Sequence, residues 1–319
     1  MKQHQHKKIL KPTCAMIALF FIAISFSACK KDNEQKLEPT QPTIENLEIG
    51  LNNNEIGVIG KDFHFNAEVL VSGKIADVQV KILPRSGETY ARAWSHEIIW
   101  DSYKDAKNAT VHKHFYIPTD AVEGKYDFIV IVNDQNGSKL EVKKSLTIYA
   151  EANVPVNPVA SIFNIFKNDA RFYRNGKFIV EGSSLSRGDK FVSQVTIADV
   201  KGDGKMYLLL INKKFNHRPE SIDKIDFSKV IVYDVYEHKD WANADFFSNS
   251  VYDLSTNTPI RTFPNLSIGA LNDNNLPQAN PVNGVKAWES GTYYYGVVYQ
   301  NTTYNIGYYQ YIEIPIVIN

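Results

Sequence analysis

Asp62-Phe63-His64-Phe65-Asn66-Ala67-Glu68-Val69-Leu70-Val71 decides the fold. Phe63, Phe65, Ala67, Val69 and Val71 fall on one side of an extended chain, and His64, Asn66 and Glu68 on the other. A period of two with aromatic and β-branched residues on the apolar side marks a half-buried strand. The same signature recurs outward from it, at residues 43–49, 75–83, 96–101, 110–117, 125–132 and 139–149. Between 132 and 139 stands Asn133-Asp134-Gln135-Asn136-Gly137, a hairpin signal because Asn and Gly accept positive φ. Seven short strands in about a hundred residues predict an immunoglobulin-like β-sandwich over 43–149.

Beyond it, Glu151-Ala152-Asn153-Val154-Pro155-Val156-Asn157-Pro158 reads as a linker over 150–159, with two prolines favouring extended backbone. Residues 160–319 form a second β-rich, sandwich-like region, so the fold class is all-β. Asn175-Gly176 divides 170–174 from 177–181. Gly202-Asp203-Gly204 is expected to turn the chain between strands 191–200 and 206–211. Further strands are read at 230–236, 291–300 and 304–318, and a short helix over 240–247.

The N-terminus carries an address. Lys2, Lys7, Lys8 and Lys11 precede an apolar run from Cys14 to Cys29, too short and too quickly followed by charge for a membrane span. A basic region, an apolar core and small residues at the cut site predict a secretory signal peptide over 1–28. Ser27-Ala28-Cys29 resembles a bacterial lipobox, with Phe26 where Leu is usual. The resemblance implies cleavage before Cys29 and acylation of its thiol and amino group. A charged tether, 29–42, follows. Its start, Lys30-Lys31-Asp32-Asn33-Glu34, resembles the export signal of surface lipoproteins. The expected location is the outer membrane, facing the exterior, held by lipid without a span.

Composition narrows the chemistry. The 319 residues hold 35 basic and 35 acidic side chains and 2 cysteines. The leader removes four lysines and no acid, leaving a net charge of about −4, no platform for nucleic acid. Cys14 leaves with the leader and Cys29 is committed to lipid, so disulfides and thiolate sites are excluded. No Gly-x-Ser-x-Gly elbow, His-Glu-x-x-His, P-loop or dinucleotide fingerprint is present. A non-catalytic binding role is therefore expected.

Several segments together resemble a known family: Pro42-Thr43-Ile44, Leu47-Glu48-Ile49-Gly50, Ile59-Gly60-Lys61-Asp62-Phe63-His64, Lys107-Asn108-Ala109-Thr110-Val111-His112-Lys113-His114, Ile117-Pro118 and Asn133-Asp134-Gln135-Asn136-Gly137. They are similar to Bacteroidota lipoproteins of domain of unknown function family 4625. The resemblance covers about 43–149 and implies a β-sandwich on a lipid anchor, in a family rich in histidine. This chain departs from that pattern with Leu83, Asp127 and Ile129 where histidines are expected.

Two candidate sites follow from the residues. His112 and His114, two apart, share one face of a strand. In immunoglobulin topology the second and fifth of the seven predicted strands are neighbours, which brings His64 beside them. Strand direction adds Asp127 at the same pole, and His96 from an adjoining strand. Imidazoles with a carboxylate suit Zn(II) or Cu(II), as the ion or in a metal-bearing ligand, with binding lost below about pH 6 as the imidazoles protonate. The alternative is a glycan platform: Tyr309 and Tyr311 lie opposite the face shared by Tyr308, Ile312, Ile314, Ile316 and Ile318. Tyrosine rings stack on sugars and donate a hydroxyl. A third reading is a structural or adhesive module that docks a protein partner such as an outer-membrane transporter.

Overall fold

The computed structural model describes residues 40–318. The predicted leader, Cys29 and the tether up to residue 39 lie outside the described residues. All described residues belong to one compact unit.

Residues 43–149 form eight strands: β1 (Thr43–Ile49), β2 (Ile56–Val58), β3 (Asp62–Leu70), β4 (Ile75–Pro84), β5 (His96–Trp100), β6 (Asn108–Tyr116), β7 (Gly124–Asp134) and β8 (Lys139–Tyr149). They build two sheets, β1-β3-β6 and β2-β8-β7-β4-β5. This is an immunoglobulin-like sandwich, and its seven longer strands lie where the alternation places them. β2 is a three-residue strand around Gly57, too short to show a period. Phe63, Phe65, Ala67 and Val69 face Val78, Val80 and Ile82 of β4 and Tyr126, Phe128, Val130 and Val132 of β7, all buried in one cluster. Apolar burial of this kind supplies the main drive for the sandwich. The Tyr126 hydroxyl, at the start of β7, donates to the Val122 carbonyl at 2.8 Å. A buried tyrosine returning to the backbone before its own strand is the corner found in such sandwiches. The 134–138 hairpin closes as expected, with Gly137 at φ 90°.

The rest of the chain forms β9 (Val159–Lys167), β10 (Ala170–Arg174), β11 (Lys177–Phe178), β12 (Leu185–Ser186), β13 (Lys190–Asn212), β14 (Val230–Ser248), β15 (Val251–Asp253), β16 (Thr258–Arg261), β17 (Leu266–Ser267), β18 (Gly291–Asn301) and β19 (Ile306–Val317). Nine of these make one sheet, with β13 pairing β9 along its first half and β18 along its second. No sheet mixes strands from before and after residue 150. The connection carries a 3-10 turn, Glu151–Asn153, and is bonded at both ends. The Ala150 amide donates to Glu123 at 2.6 Å, and that of Asn157 to the Asp199 carbonyl at 3.2 Å.

Two local expectations fail here. Gly202-Asp203-Gly204 is not a turn: β13 runs through it on bulges, with register shifts against β14 at 197–200, 200–202 and 202–204. Gly202, at φ 69°, serves the bulge, which adds residues and bends the strand without ending it. Gly204 is required by closeness, since a Cβ there would sit 2.4 Å from both His238 Nε2 and the Tyr299 hydroxyl. Residues 240–247 are not helical either. Asp240 takes a left-handed φ of 57°, and the chain resumes pairing with β13 as far as Ser248. Sheet pairing outweighs the weak helical preference of so short a segment.

The two faces of this sheet bury separate clusters. The larger gathers Phe191, Tyr233, Tyr295, Ile314 and Ile316. The smaller, on the opposite face, holds Tyr207, Leu209, Ile211, Val230 and Val232, and is covered by Phe215, Ile222 and Ile225. The irregular segment 213–229 is thus pinned by its apolar residues and presents its polar ones towards the sandwich.

Candidate metal centre

β3 and β6 pair antiparallel with His64 directly opposite His114 and Asn66 opposite His112. The three imidazoles therefore share the outer face of the β1-β3-β6 sheet. Their ring centroids stand 5.1, 5.2 and 5.3 Å apart. An outer face is ordinarily open to solvent, yet His64 is only 8% exposed. Segment 213–229 lies over it and brings in Glu220. One carboxylate oxygen, Oε2, stands 3.1 Å from His64 Nδ1, 3.2 Å from His114 Nε2 and 3.8 Å from His112 Nε2. One donor atom from each of the four residues falls within 4.8 Å of all the others. In a tetrahedral Zn site with bonds of ~2.0–2.1 Å, neighbouring donors are roughly 3.3–3.4 Å apart. Glu220 already sits near that spacing from all three nitrogens.

Surrounding groups orient the donors. His114 Nδ1 bonds Asp62 Oδ2 at 2.6 Å and its Nε2 bonds Glu220 Oε2 at 3.2 Å, so both ring nitrogens face carboxylates, and Nε2 gives up its proton when an ion takes its place. A carboxylate behind a histidine is the usual support for a metal-binding imidazole. His64 turns Nδ1 to Glu220. Its Nε2 is buried without a hydrogen-bond partner, with Glu48 Oε2 3.6 Å away. Glu48 is fixed by the Asn52 amide at 2.7 Å and faces Lys224 at 3.6 Å. Glu220 is placed by its neighbour, because the Tyr311 hydroxyl donates to the Pro219 carbonyl at 2.6 Å.

The electrostatics of the metal-free site follow. Burial works to lower the pKa of His64, but its hydrogen bond to Glu220 and the nearby carboxylate of Glu48 raise it to about 9. The hydrogen bond to Glu220 is the main cause that raises His114. Burial lowers His112, and the neighbouring imidazoles add to that. Burial alone would raise Glu220, but its bonds to His114 and His64 hold it well below the usual carboxylate range. The cluster is thus a stored carboxylate facing two readily protonated imidazoles and one neutral one.

The expected participants divide. His64, His112 and His114 converge. Asp127 does not: it lies on β7 in the other sheet, where Arg85 Nε at 3.1 Å and Lys143 Nζ at 2.5 Å take its carboxylate. His96 is on β5, at the edge of that same sheet, stacked on Trp94. Leu83 pairs with Asp127, and Lys81 with Ile129, across β4 and β7. The departures from the family pattern therefore lie together on the opposite sheet and leave the three histidines untouched. Tyr309 and Tyr311 are half-buried beneath segment 213–229, against the smaller cluster, not displayed as a platform. Tyr309 instead lines a cavity of about 480 Å³ with His64 and His114. Glu220 escaped the sequence reading because Asn216-His217-Arg218-Pro219-Glu220 has no period. Its one local signal is the Pro–Glu step after a cluster of cations.

A second cavity, of about 390 Å³, opens on His64, His112 and Glu220 and is bounded by Arg218 and Lys224.

Residues 27–149 match the family model described as Domain of unknown function (DUF4625). Among curated proteins none matches the chain. Among solved structures it is similar to dimeric latent PorU from Porphyromonas gingivalis at 14% identity and TM-score 0.29, over 88% of this chain and 20% of that one. It is similar to native E. coli alpha-2-macroglobulin at 11% identity and TM-score 0.23, over 88% of this chain and 16% of that one. The chain thus spans a fifth or less of either protein. Neither likeness is close enough to carry a fold or a function across.

Proposed function

We propose that this protein binds a divalent transition metal, Zn(II) or Cu(II), through His64, His112, His114 and Glu220. The observation that carries the reading is the position of Glu220 Oε2, within 3.1–3.8 Å of a nitrogen on each of three histidines. Three imidazoles and a carboxylate are borderline nitrogen and oxygen donors, the set that suits these ions. Four protein donors favour holding an ion over activating water on it, so the role is non-catalytic. His112 and His114 keep 48% and 31% of their side-chain surface exposed. An ion can therefore enter and leave, which fits capture and transfer better than a purely structural metal.

The leader and Cys29 motif supports placement of this activity on a lipid anchor at the outer membrane, facing out, with an outer-membrane transporter as the recipient of the ion. The glycan reading has less support, because the Tyr311 hydroxyl is engaged by Pro219 and both rings are half-covered.

Calorimetric titration of the mature soluble chain with Zn(II) and Cu(II) tests the metal reading. Binding at one equivalent with a Kd in the micromolar range or below, lost in His112→Ala/His114→Ala, is expected. Absence of binding tighter than about a millimolar rejects it, and leaves the cluster as a protonated-histidine ion pair joining the two regions of the chain.

A further inference from the structure

We propose that the metal centre accepts a small oxyanion, a carboxylate or phosphate, as an additional ligand through the cavity beside His112. The proposal rests on the metal reading above and names what would accompany the ion.

Three observations converge on that side of the site. First, the donors are reached from two sides. The larger cavity touches His64 and His114 beside Asp62, whereas the one bounded by Arg218 and Lys224 reaches His64, His112 and Glu220. The longest of the carboxylate–imidazole separations, 3.8 Å between Glu220 and His112, borders this opening. Second, about 390 Å³ is room for a small organic anion, within the size range of small-molecule sites of roughly 300–1,000 Å³. Third, the charge is right. At the cavity, Glu48 is matched by Lys224 at 3.6 Å. Arg218 lines the same wall, lies over the Tyr294 ring and makes no ion pair among the described residues. On the sheet side, Asp62 and Glu220 together balance a divalent ion. Arg218 is then the surplus cation at the mouth. A planar guanidinium is the group best shaped for bidentate contact with a carboxylate or phosphate. Zn(II) can expand to five-coordinate, so one oxygen on the ion and another on Arg218 would hold a chelating anion at two points.

Such an anion has two sources, and the experiment separates them. The mature soluble chain is loaded with one equivalent of Cu(II) and titrated with citrate, a metal chelator, or with inorganic phosphate. The copper electron paramagnetic resonance spectrum is followed, and metal content is measured after gel filtration. The expected result is a saturable change in the copper spectrum with copper retained on the protein. In Arg218→Gln/Lys224→Gln the anion should bind about tenfold or more weakly, with copper stoichiometry unchanged. A response to citrate alone identifies a delivered metal chelate, and a response to both identifies a general oxyanion site. An unchanged spectrum at millimolar anion, loss of copper to the citrate, or equal anion affinity in the variant overturns the proposal while leaving metal binding standing. Failure of the wild type to take up copper at all overturns the metal reading, and this proposal with it.

Discussion

His64 and Glu220 lie 156 residues apart and meet at 3.1 Å. The first belongs to a strand of the immunoglobulin-like sandwich. The second belongs to an irregular segment held on the following sheet by Ile222, Ile225 and the bond from Tyr311. An ion bound between them would tie the two regions of the chain together, so metal affinity and the contact between regions are linked quantities.

That linkage gives the first prediction. At a free Zn(II) concentration one hundred times Kd, the folded protein should gain about 2.7 kcal/mol. Thermal unfolding with and without Zn(II) measures it as a rise in Tm. Glu220→Gln keeps the side-chain size and removes the charged donor. It should lower affinity by at least tenfold and shrink the rise in Tm accordingly. An unaltered rise in Glu220→Gln would mean that the ion is held by the histidines alone.

Asp62 tests the support behind the donors. Its bond to His114 Nδ1 at 2.6 Å orients the ring and raises its basicity. Asp62→Asn should weaken Zn(II) binding by about 10–100-fold without loss of stoichiometry, as read by competition with a chromogenic chelator. A change below twofold would show that His114 is oriented by the sheet alone.

Much of this was readable in advance, and the failure has a definite cause. The alternation in 62–71 and at Val111 and Phe115 set β3 and β6 side by side, and with them the three histidines. Strand periods report a face and a neighbour, so His64, His112 and His114 could be gathered from local pattern and immunoglobulin pairing. Asp127 shares a pole with them, but the period of two does not say which sheet a side chain leaves. Its true partners are Arg85 and Lys143. Glu220 depends on how one region packs on another, and no local pattern encodes that. The same limit explains 240–247, where the sequence reads as a short helix and pairing with a strand some forty residues earlier decides for the sheet.

The metal-free protein should show a pH signature from His64. Its folded pKa is raised to about 9 by Glu220 and Glu48, against about 6.5 when unfolded. A raised pKa means stability that is fully present below about pH 6.5 and is lost as pH rises through 9. The contribution is on the order of 2–3 kcal/mol for so buried a group. After chelator treatment, the Tm of wild type relative to His64→Gln should fall between pH 7 and 10. A flat difference over that window would mean that His64 is neutral beside Glu220 at neutral pH. Zn(II) affinity should run the other way and climb across the window, because the proton must leave before the ion binds.

Tyr311 supplies a test in which the fold is expected to survive. Its hydroxyl reaches the Pro219 carbonyl at 2.6 Å, while its ring packs in the cluster with Tyr294 and Tyr309. Tyr311→Phe keeps the ring and removes the bond, at a cost of about 1 kcal/mol. Because that bond sets the residue next to Glu220, the loss should appear in the metal affinity as about a fivefold weakening, and hardly at all in the far-ultraviolet circular dichroism. Tyr311→Ala also empties part of the cluster and should cost about 3–5 kcal/mol of stability. If Tyr311→Phe binds Zn(II) as wild type does while Tyr311→Ala unfolds early, the tyrosine is a packing residue only, and Glu220 is held in place by Ile222 and Ile225.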